Sequence, residues 1–299
     1  FKRKQQRPTI TYDEITHRKE RRGPIMHAIW CVAQKELKDG LRNRWIIAIT
    51  LVFSLLSIGI SWFGAAASGL VGFTSIPNTI ISLASLAVFL IPLIALLLAY
   101  DAIVGEDEDG TLLLLLTYPL TKAQLLLGKL LGHGLIMGIS TALGFGSAAV
   151  IIALFAADVD LLALFIAFSR FILSATLLGV IFVAAAYFIS ALVSEKSKAA
   201  GMALIFWFLF VLVFDLALLG LLVATDGQFN PELFPYLLLL NPTDVFRLIN
   251  LVGFEGSGGG LLVMASEVEF GFMTLFGVLL CWLLLPLSAA YWAFSRRKI

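Results

Sequence analysis

The chain has 299 residues, of which 60% are hydrophobic and 14% charged, and its mean hydropathy is +0.97. A soluble domain carries about 25% charge, so a water-soluble globule is excluded, and no nucleic-acid partner is expected. The net charge of +1 says little; the placement of the charges says more. Several apolar runs exceed the ~18 residues that cross ~30 Å of hydrocarbon. The short alternating segments of a membrane β-barrel are missing.

Residues 1–25 are polar and basic and lack the apolar core of a signal peptide. They read as an upstream or processed tail, with Met26 a plausible start. Residues 26–44 read as an amphipathic helix at the membrane surface. Ile29, Val32, Ala33 and Leu37 line its apolar side, and Lys35, Glu36, Lys38 and Asp39 the other. Trp30 and Trp45 suit the lipid interface. The remainder, 45–299, reads as a six-helix transmembrane domain.

Six spans are predicted, over roughly 45–67, 79–100, 130–155, 161–193, 201–225 and 272–294. Of the 21 Lys and Arg residues, 19 fall in 1–44, 101–129, 194–200 and 296–298, on one side of the membrane. The positive-inside rule makes that side cytosolic, with both termini there. Cys31 lies in a cytosol-side segment and Cys281 in a span, so neither a disulfide nor a metal-type spacing is expected.

Cytosolic segment 101–129 contains EDEDGTLLLLLTYPLTKAQLLLGK, beginning at Glu106. Thr111 is expected to cap a short helix, Gly110 to make the turn before it, and Tyr118-Pro119 to end the leucine run. Carboxylates Glu106, Asp107, Glu108 and Asp109 would face the cytosol. The plainer alternative is a solvated charge cluster that ends span two. Glu195-Lys196 offers a secondary cytosolic contact or an ordinary polar turn.

Two ionisable residues fall inside spans, where charge is costly. Arg170 and Asp215 are each roughly 15 Å from the outer end of their span, at 1.5 Å per residue. They are expected to pair. On the outer side, 226–271 reads as two short helices at or in the outer leaflet, with Asn241 as N-cap, Pro242 at N1 and Asp244 at N3. Asn241, Asp244 and Arg247 are the candidate partner surface. Glycines 128, 132, 134, 138 and 144 would let span three pack closely, by default within the subunit.

No phosphate-loop motif is present, so an ATP-driven role needs a separate ATPase. Met137, Met202, Met273 and Cys281 form no ladder of soft ligands for Cu(I), and His133 four residues before Met137 reads as packing. No metal site is expected.

The order acid, Gly-Thr, leucines, Pro, Gly-Lys resembles the signature of the ABC-2 family of ATP-driven transporter permeases. AQKELKDGLRNRW, WFGAAASG, GFTSIP, SLASLAVFLIPLIALLLAYDAIVGEDE and YLLLLNPTDVFRLINL are similar to the branch that serves copper-site maturation of nitrous oxide reductase. The resemblance implies an all-α, type V exporter-like permease fold in the bacterial inner membrane and a homodimer. It also implies that segment 101–129 docks on a cytosolic P-loop ATPase dimer through Glu106, Asp107, Glu108, Asp109, Gly110, Thr111, Tyr118 and Pro119, and that a periplasmic copper-site protein is the outer partner. ATP and magnesium would sit on the ATPase and no cofactor on this chain. Mechanical coupling to the outer partner is favoured over metal permeation, with export of a sulfur species open. The alternatives are a lipid or drug exporter of the same fold, and an ion-driven secondary transporter. The latter would want paired mid-membrane carboxylates and broken helices.

Overall fold

Hydrocarbon offers no water to backbone N–H and C=O groups, so long apolar runs close their hydrogen bonds inside helices. The computed structural model describes residues 12–64, 72–73, 75–118, 120–156, 159–225, 233–251 and 270–297, with side chains from Met26 onward. Helix α1 covers Tyr12–Arg42, α2 Trp45–Phe63, α3 Ile76–Ala99, α4 Val104–Glu108, α5 Thr111–Thr117 and α6 Lys122–Phe155. Helix α7 covers Leu161–Leu192, α8 Lys196–Phe208, α9 Phe214–Ala224, α10 Phe234–Leu238, α11 Pro242–Leu251 and α12 Phe272–Arg296. A π-helical turn, Leu209–Val213, joins α8 to α9 into one long rod. Six helical stretches have the length and apolarity of membrane spans: α2, α3 with α4, α6, α7, α8 with α9, and α12. The described residues contain no strand.

Local chemistry starts several of these helices. The Ser75 side chain accepts from Asn78 N–H, Asp160 accepts from Leu162 and Ala163, and Thr121 with Gln124 forms a reciprocal capping box.

Helix α7 is the centre of the bundle, with 67% of its most apolar window buried, against 17% for α8–α9 and for α12. Helix α6 lies between α7 and the N-terminal pair α1 and α2. Its glycines decide how close the helices come. A methyl group at Gly128 would stand 2.6 Å from Val32 Cβ, and one at Gly132 2.5 Å from Glu36 Cβ. Gly144 accommodates Phe53 of α2 in the same way. Close approach of α1 and α6 therefore requires those positions to lack a side chain. A row of rings crosses the bundle: Phe53 to Phe145 at 4.8 Å, Phe145 to Phe171 at 4.8 Å and Phe171 to Phe246 at 5.8 Å.

Of the two placements expected for the outer short helices, at or in the leaflet, α11 has the inserted one: it packs among α3, α7 and α12, and residues 241–246 are all buried. Asn250 donates to Ser174 Oγ at 3.1 Å, and Trp282 of α12 donates to Leu239 O at 3.0 Å. The Asn241 side chain accepts from Thr243 N–H at 3.1 Å at the start of α11 and donates to Phe210 O, in the π turn, at 2.8 Å. Burial of Asn241 and Asp244 removes both from the candidate partner surface. Val245, Leu248 and Ile249 of α11 are buried in the same core.

Candidate functional site

The acidic stretch lies where α1, α4, α6, α8 and α12 meet at one end of the bundle. Glu106 Oε1 accepts from Lys35 and from Lys129, each at 2.8 Å. Lys129 also donates to Glu36 at 2.8 Å. Asp107 pairs with Arg297, Glu108 accepts the backbone N–H of Lys196 at 2.8 Å, and Asp109 meets Lys196 Nζ at 3.1 Å. Each of the four acids thus binds a group brought from another helix or from just beyond one.

This corrects the expectation of a carboxylate face turned to the cytosol. Glu106 and Asp107 point into the junction, and only Glu108 and Asp109 are exposed. Glu36 is corrected too: it lies on the packed side of α1, against Gly132, and not on a solvated face. Burial alone would raise the Glu36 carboxyl. The neighbouring cations, Lys129 foremost, outweigh burial and hold it at about 2.

Helix ends supply the remaining partners. Free terminal N–H and C=O groups need satisfying wherever a helix stops. Ser190 Oγ accepts from Ile103 and Val104 N–H at 3.1 and 3.0 Å, at the start of α4. Lys122 donates to Phe294 O at 2.9 Å and Arg297 O at 3.1 Å, at the end of α12. Arg297 donates to Ser190 O at 3.1 Å and Val193 O at 2.8 Å, at the end of α7. Cations suit helix C-termini. Thr111 does not cap α5; the cap position is Gly110 at φ 69°, and the Thr111 hydroxyl donates to Glu106 O at 3.1 Å. The left-handed turn puts the chain out of capping geometry for Thr111 and favours glycine.

A polar cavity of about 320 Å³ opens beside the junction, bordered by Glu36, Asp101, Glu106, Lys129, His133 and Lys196. His133 shares a 2.6 Å hydrogen bond with the Tyr187 hydroxyl. Among the described residues, no three His, Cys, Asp or Glu side chains come together as a metal site.

Outward from this fixed base stands α5. Leu113 is 60%, Leu114 63% and Tyr118 65% exposed, while Leu112 is buried beneath them. Tyr118 is extended and ends the helix; Pro119 lies outside the described residues. Glu195 pairs with Lys198 at 2.6 Å on the exposed rim.

Arg170 and Asp215 do not pair. Arg170 lies over the Phe272 ring at 5.4 Å from its centre, and Asp215 bonds Arg247 at 2.6 Å. Counting depth along the spans overlooked α11, whose insertion carries Arg247 to Asp215 from a third segment.

The family described as ABC-2 family transporter protein matches residues 30–299. A probable ABC transporter permease protein NosY of Stutzerimonas stutzeri is 61% identical over 274 residues, covering 91% of this chain and 99% of that protein. The protein of the same name from Pseudomonas aeruginosa is 58% identical over 275 residues, covering 92% and 100%.

Proposed function

Since the chain belongs to the ABC-2 family and is the multi-pass membrane subunit of an ABC transporter, we propose that it couples a separate ATPase to copper-site maturation of nitrous oxide reductase. In this reading two copies of the chain form a homodimer in the bacterial inner membrane. A dimer of a NosF-like P-loop ATPase binds from the cytosol, carrying the ATP and magnesium. A NosD-like copper-site protein receives the motion on the periplasmic side, or a sulfur or copper species is exported to it. The chain binds no cofactor of its own.

The observation that carries the reading is the exposed α5 ridge of Leu113, Leu114 and Tyr118 on an ion-paired base. Clustered large apolar side chains rimmed by Glu108 and Asp109 suit a protein partner. The base gives that partner a rigid lever. Reversing Glu106 or Asp107 would break internal pairs and confuse docking with folding. The outward residues separate the two. Leu113→Asp with Leu114→Asp is expected to cut ATPase co-purification at least about tenfold, the order of one hot-spot contact. Helix content and membrane insertion should be retained. Retention of the ATPase by this variant would refute the docking assignment. A periplasmic copper protein missing from the wild-type complex would refute the maturation role.

A further inference from the structure

A second charged cluster sits where α9 meets α11 and has no part in the ion-paired junction. Asp215 of α9 and Asp244 of α11 both bond Nη1 of Arg247, at 2.6 and 2.7 Å. Two carboxylate oxygens therefore lie no further apart than those two distances together, with one guanidinium between them. Asp215 Oδ1 and Asp244 Oδ2 are buried and have no hydrogen-bond partner among the described residues. Asp244 is 1% exposed, whereas the side chains of Asp215 and Arg247 are 25% and 17% exposed, so the cluster reaches the surface through them. A buried anion is costly unless it is paired, and one arginine does not neutralise two.

Among the described residues, the surrounding elements bring no further pairing charge. Helix α3 has no ionisable residue. On α7, Arg170 lies over Phe272 and Tyr187 is bonded to His133. On α12, Arg296 lies over Trp292, at the cytosolic end. The π turn contains only Leu, Phe and Val, and Tyr236 is the one titratable group of α10. The cluster also adjoins an irregularity in the rod, because Asn241, three residues before Asp244, binds the carbonyl of Phe210 within the π turn. Such turns recur at functional positions, and ionisable groups at membrane depth mark ion or proton sites.

We infer that Asp244 is a proton-binding site, and that its occupancy sets how firmly α11 is held against the fifth span. Uptake of one proton from the aqueous phase changes the formal charge of the three side chains from −1 to 0 and leaves Arg247 to Asp215. Loss of the proton places two anions in competition for Arg247 beside the π turn. Burial raises the Asp244 carboxyl, the charge of Asp215 raises it further and Arg247 opposes, to about 7. The folded-state value is raised. The stabilisation is therefore complete at acid pH and disappears as pH rises through neutrality.

The test is an infrared pH titration of the full chain in lipid nanodiscs. Wild type is expected to show a protonated-carboxyl band that disappears within about one unit of neutrality. Asp244→Asn abolishes it. Asp215→Asn, which removes the competing anion, moves its midpoint down by about one unit or more. Hydrogen exchange adds a structural readout: protection of Val245–Asn250, corrected for intrinsic rate, falls as the band disappears. No such band at any pH, or the same titration in Asp244→Asn, overturns the proposal. Should that variant not fold, an unmoved midpoint in Asp215→Asn overturns it.

Discussion

Lys129 carries the ion-paired junction at the scale of a single residue. Its side chain is 3% exposed and sits between Glu36 and Glu106 at 2.8 Å from each. Removing one partner of a buried pair strands the other charge, at a cost of about 3–5 kcal/mol. Lys129→Met is therefore expected to lower the unfolding midpoint of the solubilised chain far more than Lys198→Met. The latter breaks an exposed Glu195–Lys198 pair worth about 0–1 kcal/mol. Thermal unfolding of the two variants side by side checks this. None of this was legible in the sequence, where Lys129 stands as the end of a Gly-Lys doublet. Its partner on α1 is 93 residues away, and spacing reports only neighbours along one helix. The run at Glu106 was visible as charge, but its inward direction was not, because the cations that turn it come from α1, α6, α8 and beyond α12.

Between elements, the seam of α1 and α6 is set by size. Gly132→Leu would drive a side chain into Glu36 and the Ala33 carbonyl, and overpacking of this kind costs about 1–3 kcal/mol. At Gly146 on the same helix, an added methyl group would meet nothing within 4 Å. Gly146→Ala is expected to be neutral or stabilising, by up to about 1 kcal/mol. Unfolding measurements on the pair separate the seam from ordinary helix propensity. The glycine row was legible, and so were the start of α11 at Asn241-Pro242 and the six spans, since periodicity and capping are local. The faces these helices choose were not. Helix α1 reads as a lipid-surface helix because Val32 and Ala33 are apolar, yet the same residues serve equally well against α6. Helix α11 posed the same ambiguity, and burial among three helices resolved it.

For the whole molecule, the asymmetry of Lys and Arg is the strongest signal. With 19 of 21 basic residues in segments expected on one side, both termini are expected in the cytosol. A fluorescent protein fused at either end should light up, and alkaline phosphatase inserted between 226 and 232 should be active. The reverse pattern would invert the molecule and with it the docking assignment. Apolarity and basic-residue placement are properties of the whole chain, which is why the architecture was readable while side-chain pairing was not.

The pair Asp107–Arg297 bears on how the protein is made. Its members are 190 residues apart. At about 5–20 residues per second, the ribosome delivers the arginine roughly 10–40 s after the aspartate. Throughout that interval α5 has emerged while its foundation is unfinished. A chain cut short before its sixth helix lacks the Asp107–Arg297 pair, so its α5 is expected to be held less firmly than that of the finished chain.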